Sequence, residues 1–155
     1  MTLDPEYTAF VESGVAIDVA GRDAHNVPVV ARAVGCRVSA DRQRVTVFVP
    51  RTSSSRFLGS VAATGAVAAV FCHPSTVRSV QLKGSDATLV SADEDDCSRV
   101  RAAAEGLVAD VVALGLPESV ARREVGHDLG DLVGVSFSIA AAFVQTPGPS
   151  AGAKI

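Results

Sequence analysis

Two arginines enclose four hydroxyl residues in Arg51-Thr52-Ser53-Ser54-Ser55-Arg56, a composition suited to holding a phosphate. Ahead of it, Val45, Val47 and Val49 alternate with Thr46, Phe48 and Pro50, which predicts a strand ending at the proline. Behind it, Phe57, Leu58 and Val61 recur at helical spacing, so the serines fall where a helix begins. A helix start leaves backbone N–H groups unpaired and carries partial positive charge, and guanidinium and hydroxyl groups there add charge-assisted donors for an anion. The same residues also suit a plain cap, in which a serine or threonine satisfies the helix start and the arginines stay solvated. Both readings fit the sequence.

Ser79, Gln81 and Lys83 are spaced by two and share one face of a strand, either as an ordinary wet face or as donors to a ligand. Arg32 and Arg37 lie five apart and point to opposite faces unless a bulge intervenes, for which Gly35 is the natural place. Cys36, Cys72 and Cys97 contain no Cys-x-x-Cys pair, and His25, His73 and His127 have no metal-ligand spacing, so reduced thiols and no metal site are expected. The arrangement weighed against this is a folded-together cluster of Cys72, His73 and a distant acid. No residue stands out as an acid–base catalyst, and His73 reads as a surface-turn histidine.

These groups must be placed by about six strands. Asp4 to Val11 reads as a short helix, with Asp4 as cap and Pro5 at the first helical position. Strands follow at Val15 to Val19, at Val27 to Val38 and through Val49. After the short helix, Ala66 to Cys72 is nearly all apolar, which predicts a strand covered on both faces. Val77 to Val90 reads as one long strand curled at Gly84. The longest helix, Asp96 to Leu114, places Val100, Ala103, Ala104, Leu107, Val108, Val111 and Val112 on its buried side. A short helix begins at Pro117, Leu132 to Val144 forms the last strand, and residues 145–155, rich in proline and glycine, form an extended C-terminal arm or a fixed loop. Mostly antiparallel strands with a helix late in the order describe an α+β domain, a six-stranded barrel with flanking helices.

A chain of 155 residues suits one domain over its whole length. With 20% charged residues and a formal net charge of −3, neither a nucleic-acid-binding face nor a polybasic membrane contact is expected. No apolar stretch reaches the roughly 20 residues of a membrane span, and Met1 to Glu12 carries acids rather than a basic export signal, so a cytoplasmic protein is expected.

The order of elements and several residues resemble the pyridoxamine 5′-phosphate oxidase-like family of FMN-binding split β-barrels. The similarity runs from Val15 to Gly152 and is strongest between Arg32 and Gly84. The family's flavin-side strand, an arginine and a basic residue five positions on, is matched by Arg32-Ala33-Val34-Gly35-Cys36-Arg37. Its phosphate turn is matched by Pro50, Arg51, Ser55 and Arg56, and its arginine-glutamine pair by Arg78-Ser79 ahead of Gly84. Its Asn-Pro before an apolar strand corresponds to Thr64-Gly65. There are departures: Phe57 replaces the second basic residue of the phosphate pair, and Ser79 replaces the glutamine that reaches the ring, with Gln81 two residues later on the same face. The C-terminal tryptophan and arginine of the vitamin-pathway oxidases have no counterpart. The resemblance implies an FMN-dependent oxidoreductase with the flavin between the subunits of a homodimer. The alternative on the same fold is a non-catalytic binder of flavin, haem or the deazaflavin F420; a cofactor-free dimeric scaffold is the third reading.

Overall fold

The computed structural model describes all residues from Met1 to Ile155. Its elements are α1 (Pro5–Val11), β1 (Ala16–Arg22), β2 (Pro28–Ala33), β3 (Gly35–Val38), β4 (Arg44–Pro50), α2 (Ser55–Thr64), β5 (Val67–Cys72), β6 (Ser79–Gly84), β7 (Thr88–Ser91), α3 (Glu94–Ala113), α4 (Glu118–Val125), β8 (Leu132–Ser138) and β9 (Ala141–Val144). All strand pairs are antiparallel, in a five-stranded sheet ordered β2-β1-β5-β6-β9 and a four-stranded sheet ordered β3-β4-β8-β7. The architecture is an α+β split barrel.

Three of the six expected strands divide. The segment 27–38 becomes β2 and β3, 77–90 becomes β6 and β7, and 132–144 becomes β8 and β9, each pair with one member in either sheet. The bulge expected at Gly35 is instead a change of sheet at Val34, whose N–H donates to the Phe48 carbonyl at 2.8 Å. Gly35 serves a different purpose: a Cβ there would stand 3.1 Å from Val100 Cγ2 and 3.3 Å from its Cα, so the missing side chain lets α3 approach β3. The strand ends at Gly84 in place of the expected curl within it, and the missing side chain lets residues 137–138 approach, since a Cβ there would lie 2.6 Å from the Phe137 ring and 2.8 Å from the Ser138 carbonyl.

The interior is filled from both sheets. Ile17, Val19, Val47, Phe71, Leu82 and Phe137 are all buried, and Phe57, Leu58 and Val61 of α2 join the same core. Each such side chain contributes about 1.5–3 kcal/mol on burial. A smaller cluster of Phe48, Val100 and Leu132 joins α3 to the outer side of the four-stranded sheet. An Asp93–Asp96 capping box starts α3. By contrast, Asp4 is extended before α1 but its carboxylate takes no cap hydrogen bond.

Two expectations about covering change. On β5, Val67, Ala69 and Phe71 are buried whereas Ala68, Val70 and Cys72 are only half-buried, so this chain covers one face of that strand. On α3, Val100 and Val108 are buried, Ala103, Ala104, Leu107 and Val111 are only half-buried, and Val112 is exposed. Of the two forms open to the tail, the structure has the fixed loop: Gly152 N–H donates to the Val144 carbonyl at 2.8 Å and Ile155 N–H to the Ala142 carbonyl at 3.0 Å. No helix is long and apolar enough to cross a membrane.

Candidate functional site

Pro50 closes β4 opposite Leu132, and the chain then turns through residues 51–54 into α2. Ser54 stands at the cap position with φ −104° and ψ 12°, and its side chain makes no cap hydrogen bond. Side-chain capping is therefore not what the hydroxyls do. The amides of Ser53, Ser55, Arg56 and Phe57 find no acceptor within the chain. Arg51 and Arg56 are exposed and, like Arg22, Arg42, Arg101 and Arg123, pair with no carboxylate, whereas Arg32, Arg37, Arg44, Arg78, Arg99 and Arg122 all do. Ser53 and Ser55 are exposed beside them. The turn thus gathers two unpaired guanidinium groups, free hydroxyls and free amides at a helix start, the donor set an oxyanion needs.

One anion already borders this turn. Asp131 accepts from Thr52 N–H at 3.0 Å and from Thr52 Oγ1 at 2.9 Å, while its carbonyl accepts from Arg51 N–H at 2.7 Å. Thr52 is consequently spent on holding the turn against the segment leading into β8. Sequence reading does not find Asp131, because it lies 79 residues from its partner and no local motif links them.

The remaining site residues separate. Arg32 pairs in register with Asp18, Asp18 with Val70, and Val70 with Gln81, so Arg32 and Gln81 point from the same, outer face of the five-stranded sheet, about 14 Å apart across three strand spacings. Arg32 meets Asp18 Oδ1 through Nε and Nη2, both at 3.3 Å. Ser79 occupies that face too but is sealed by the tail: its N–H donates to Thr146 Oγ1 at 2.9 Å, its hydroxyl to the Val77 carbonyl, and its carbonyl accepts from Gln145 and Thr146. Gln81 Oε1 accepts a long 3.5 Å contact from Gln145 Nε2. Arg37 lies in the other sheet and grips the fully buried Asp96 carboxylate at 2.8 and 2.9 Å. The two arginines belong to different sheets because the chain crosses at Val34, so the facing expected of a single strand does not apply to them.

Other reactive groups are occupied structurally. Ser75 Oγ and Asp110 Oδ2 both approach Nδ1 of His73, at 3.1 and 3.3 Å, so the three cannot relay a proton across the ring; they pin the 73–78 loop to α3. No group of three or more His, Cys, Asp or Glu side chains is arranged to hold a metal. Burial pushes the Cys36 thiol far up, and it donates to the Val11 carbonyl as an inert core group. Of the site residues named from the sequence, Arg32 is the one that lines any of the four principal cavities.

No family model matches the sequence, and no curated protein matches it. Solved structures do. HupZ of group A Streptococcus superposes with a TM-score of 0.57 at 13% identity, covering 97% of this chain and 100% of its own. HutZ, the haem storage protein from Vibrio cholerae, gives 0.52 at 16%, over 93% and 95%. A protein related to general stress protein 26, of the pyridoxinephosphate oxidase family from Clostridium acetobutylicum, gives 0.51 at 11%, over 92% and 87%. Two sheets sharing strands that cross between them, α2 against the barrel and these superpositions along nearly the whole chain identify the structure as the pyridoxamine 5′-phosphate oxidase-like split barrel.

Proposed function

We propose that the protein binds FMN as a homodimer, with the flavin between two copies of the chain, and that it serves as an FMN-dependent oxidoreductase. The turn from Arg51 to Phe57 carries this reading: its unpaired guanidinium groups and amides supply more donors than the chain uses, and a phosphate monoester satisfies them. In this account Arg51 and Arg56 neutralise the phosphate, Ser55 adds a hydroxyl, and Pro50 fixes where the strand stops. Arg32 and Gln81, on the outer sheet face, offer a cation and an amide to a ring system. Arg37 contributes through the fold, by holding Asp96 and hence the start of α3. Bound FMN would supply two-electron hydride chemistry, and donors near its ring favour the anionic reduced form.

The homodimer is supported by the outer face of the five-stranded sheet. Along it, Val30, Ala20, Ala68, Val70 and Phe143 are apolar and at least partly exposed, and Val30 is 76% exposed. The near-continuous apolar run of β5 suits a strand covered on both sides, and a second copy supplies the cover that this chain lacks.

A second reading, a non-catalytic haem binder, is favoured by the likeness to HutZ, described as a haem storage protein. Releasing the small molecule from the purified protein by denaturation, then recording its mass and absorption spectrum, separates the two. FMN mass with a flavin spectrum supports the proposal. A haem mass with a Soret band replaces it.

A further inference from the structure

We infer that the cavity between α3, α4 and the neighbouring ends of β1 and β2 binds a compact hydrophobic amino acid, at a site separate from the phosphate turn. The cavity measures about 260 Å³. Its walls are Ala103, Ala104, Leu107 and Val111 from α3 and Ala121 and Val125 from α4. Its floor is Val15, Ala33 and Val34.

Periodicity puts the four α3 residues on that helix's buried side, yet the folded chain leaves them half-exposed, facing a space that three alanines keep open. Protein interiors seldom leave such room unfilled. The volume admits one small side chain and excludes anything the size of a porphyrin.

The polar groups on the lining decide the ligand's class. Arg32 bonds a single oxygen of Asp18, at 3.3 Å from each of two nitrogens, so its Nη1 is free. Glu124 has no hydrogen-bond or ion-pair partner in the chain, and both residues line this cavity. Desolvation holds the third group, His127, below its ordinary value of 6.5, so it is neutral at neutral pH. Arg32, with Nη1 unused beside its Asp18 pair, and the unpaired Glu124 both line an apolar chamber and match a zwitterion with a hydrophobic side chain: carboxylate to Arg32, ammonium to Glu124, side chain against α3.

Entry is through α4. Ala121 is its one buried residue, and Arg122 ties it to Glu105 at 2.8 Å and to Glu118 at 2.7 Å. A helix so lightly packed lifts at low cost. The inference does not rest on the phosphate site, since no residue of the 51–56 turn lines the cavity; Arg32 is the residue shared with the flavin reading, and here it bonds a carboxylate in place of a ring.

The test titrates the full chain with L-leucine, 4-methylpentanoate and isoamylamine while following the methyl signals of Leu107, Val111 and Leu116. Leucine is expected to saturate and shift these signals, with the two single-charge analogues weaker by about tenfold, the loss of one charge-assisted bond. Glu124→Gln is expected to close the gap between leucine and 4-methylpentanoate, and Ala104→Phe to abolish binding. Exposed Glu124 keeps the test valid if the filled variant does not fold. No saturable shift, equal binding of leucine and 4-methylpentanoate, or an unchanged gap in Glu124→Gln overturns the inference.

Discussion

Arg56 and Asp131 oppose one another at the proposed phosphate site, one donating to an added anion and the other repelling it. Removing a charged hydrogen-bond partner costs about 1.5–3 kcal/mol, so Arg56→Ala should weaken FMN binding by about 10- to 100-fold in an equilibrium titration while the circular dichroism spectrum stays unchanged. Asp131→Asn keeps an acceptor for Thr52 but removes the negative charge, and should tighten FMN measurably. Asp86 shows a different use of charge. Bonds from the Ser138 hydroxyl and backbone N–H, with Arg44 beside them, hold its carboxyl below the ordinary value of 3.8. The unfolded chain therefore takes up this proton first as pH falls, and stability drops from about pH 4 downward. Acid unfolding of Asp86→Asn followed by fluorescence-free circular dichroism should show a shallower slope there; an identical slope would remove Asp86 from the account. At this scale the donors were readable from composition around Ser53, but Asp131 and the Arg37–Asp96 pair were not, because 79 and 59 residues separate the partners.

Helices and strands were readable to the extent that each answered to a local pattern. Residues 44–50 are a strand that ends at the expected proline, since alternation and a terminal proline specify its type and its end. Residues 27–38, 77–90 and 132–144 hide their breaks for a physical reason: the inner faces of both sheets look into one barrel, so apolar alternation continues while hydrogen-bond partners change. Gly84 carries that change of sheet by admitting Phe137 where a side chain would stand. Gly84→Ala should cost about 1–3 kcal/mol through overpacking, read as a lower denaturation midpoint with an unaltered slope. On α3 the pattern identified the correct apolar stripe but not its covering, which depends on how closely α4 docks and cannot be encoded in α3 alone.

Taken as a molecule, the split barrel leaves partly exposed apolar residues on one sheet face and two unpaired arginines at one turn, and the proposed homodimer with bound FMN would use both. Val70 stands in the middle strand of the five, pointing outward between Asp18 and Gln81. If the proposed dimer forms through this face, Val70→Asp should convert it to monomer in sedimentation equilibrium while the fold persists; a dimer that survives the change would place the interface elsewhere. The central claim, a phosphate held at the Arg51–Phe57 turn, is tested most directly by comparing FMN with riboflavin, which shares the ring but lacks the phosphate, in calorimetric titrations of one protein preparation. The account predicts that FMN binds more tightly by about two orders of magnitude and that Arg51→Ala with Arg56→Ala erases the difference. Equal affinity for the two flavins, or a preference untouched by the double substitution, would contradict it.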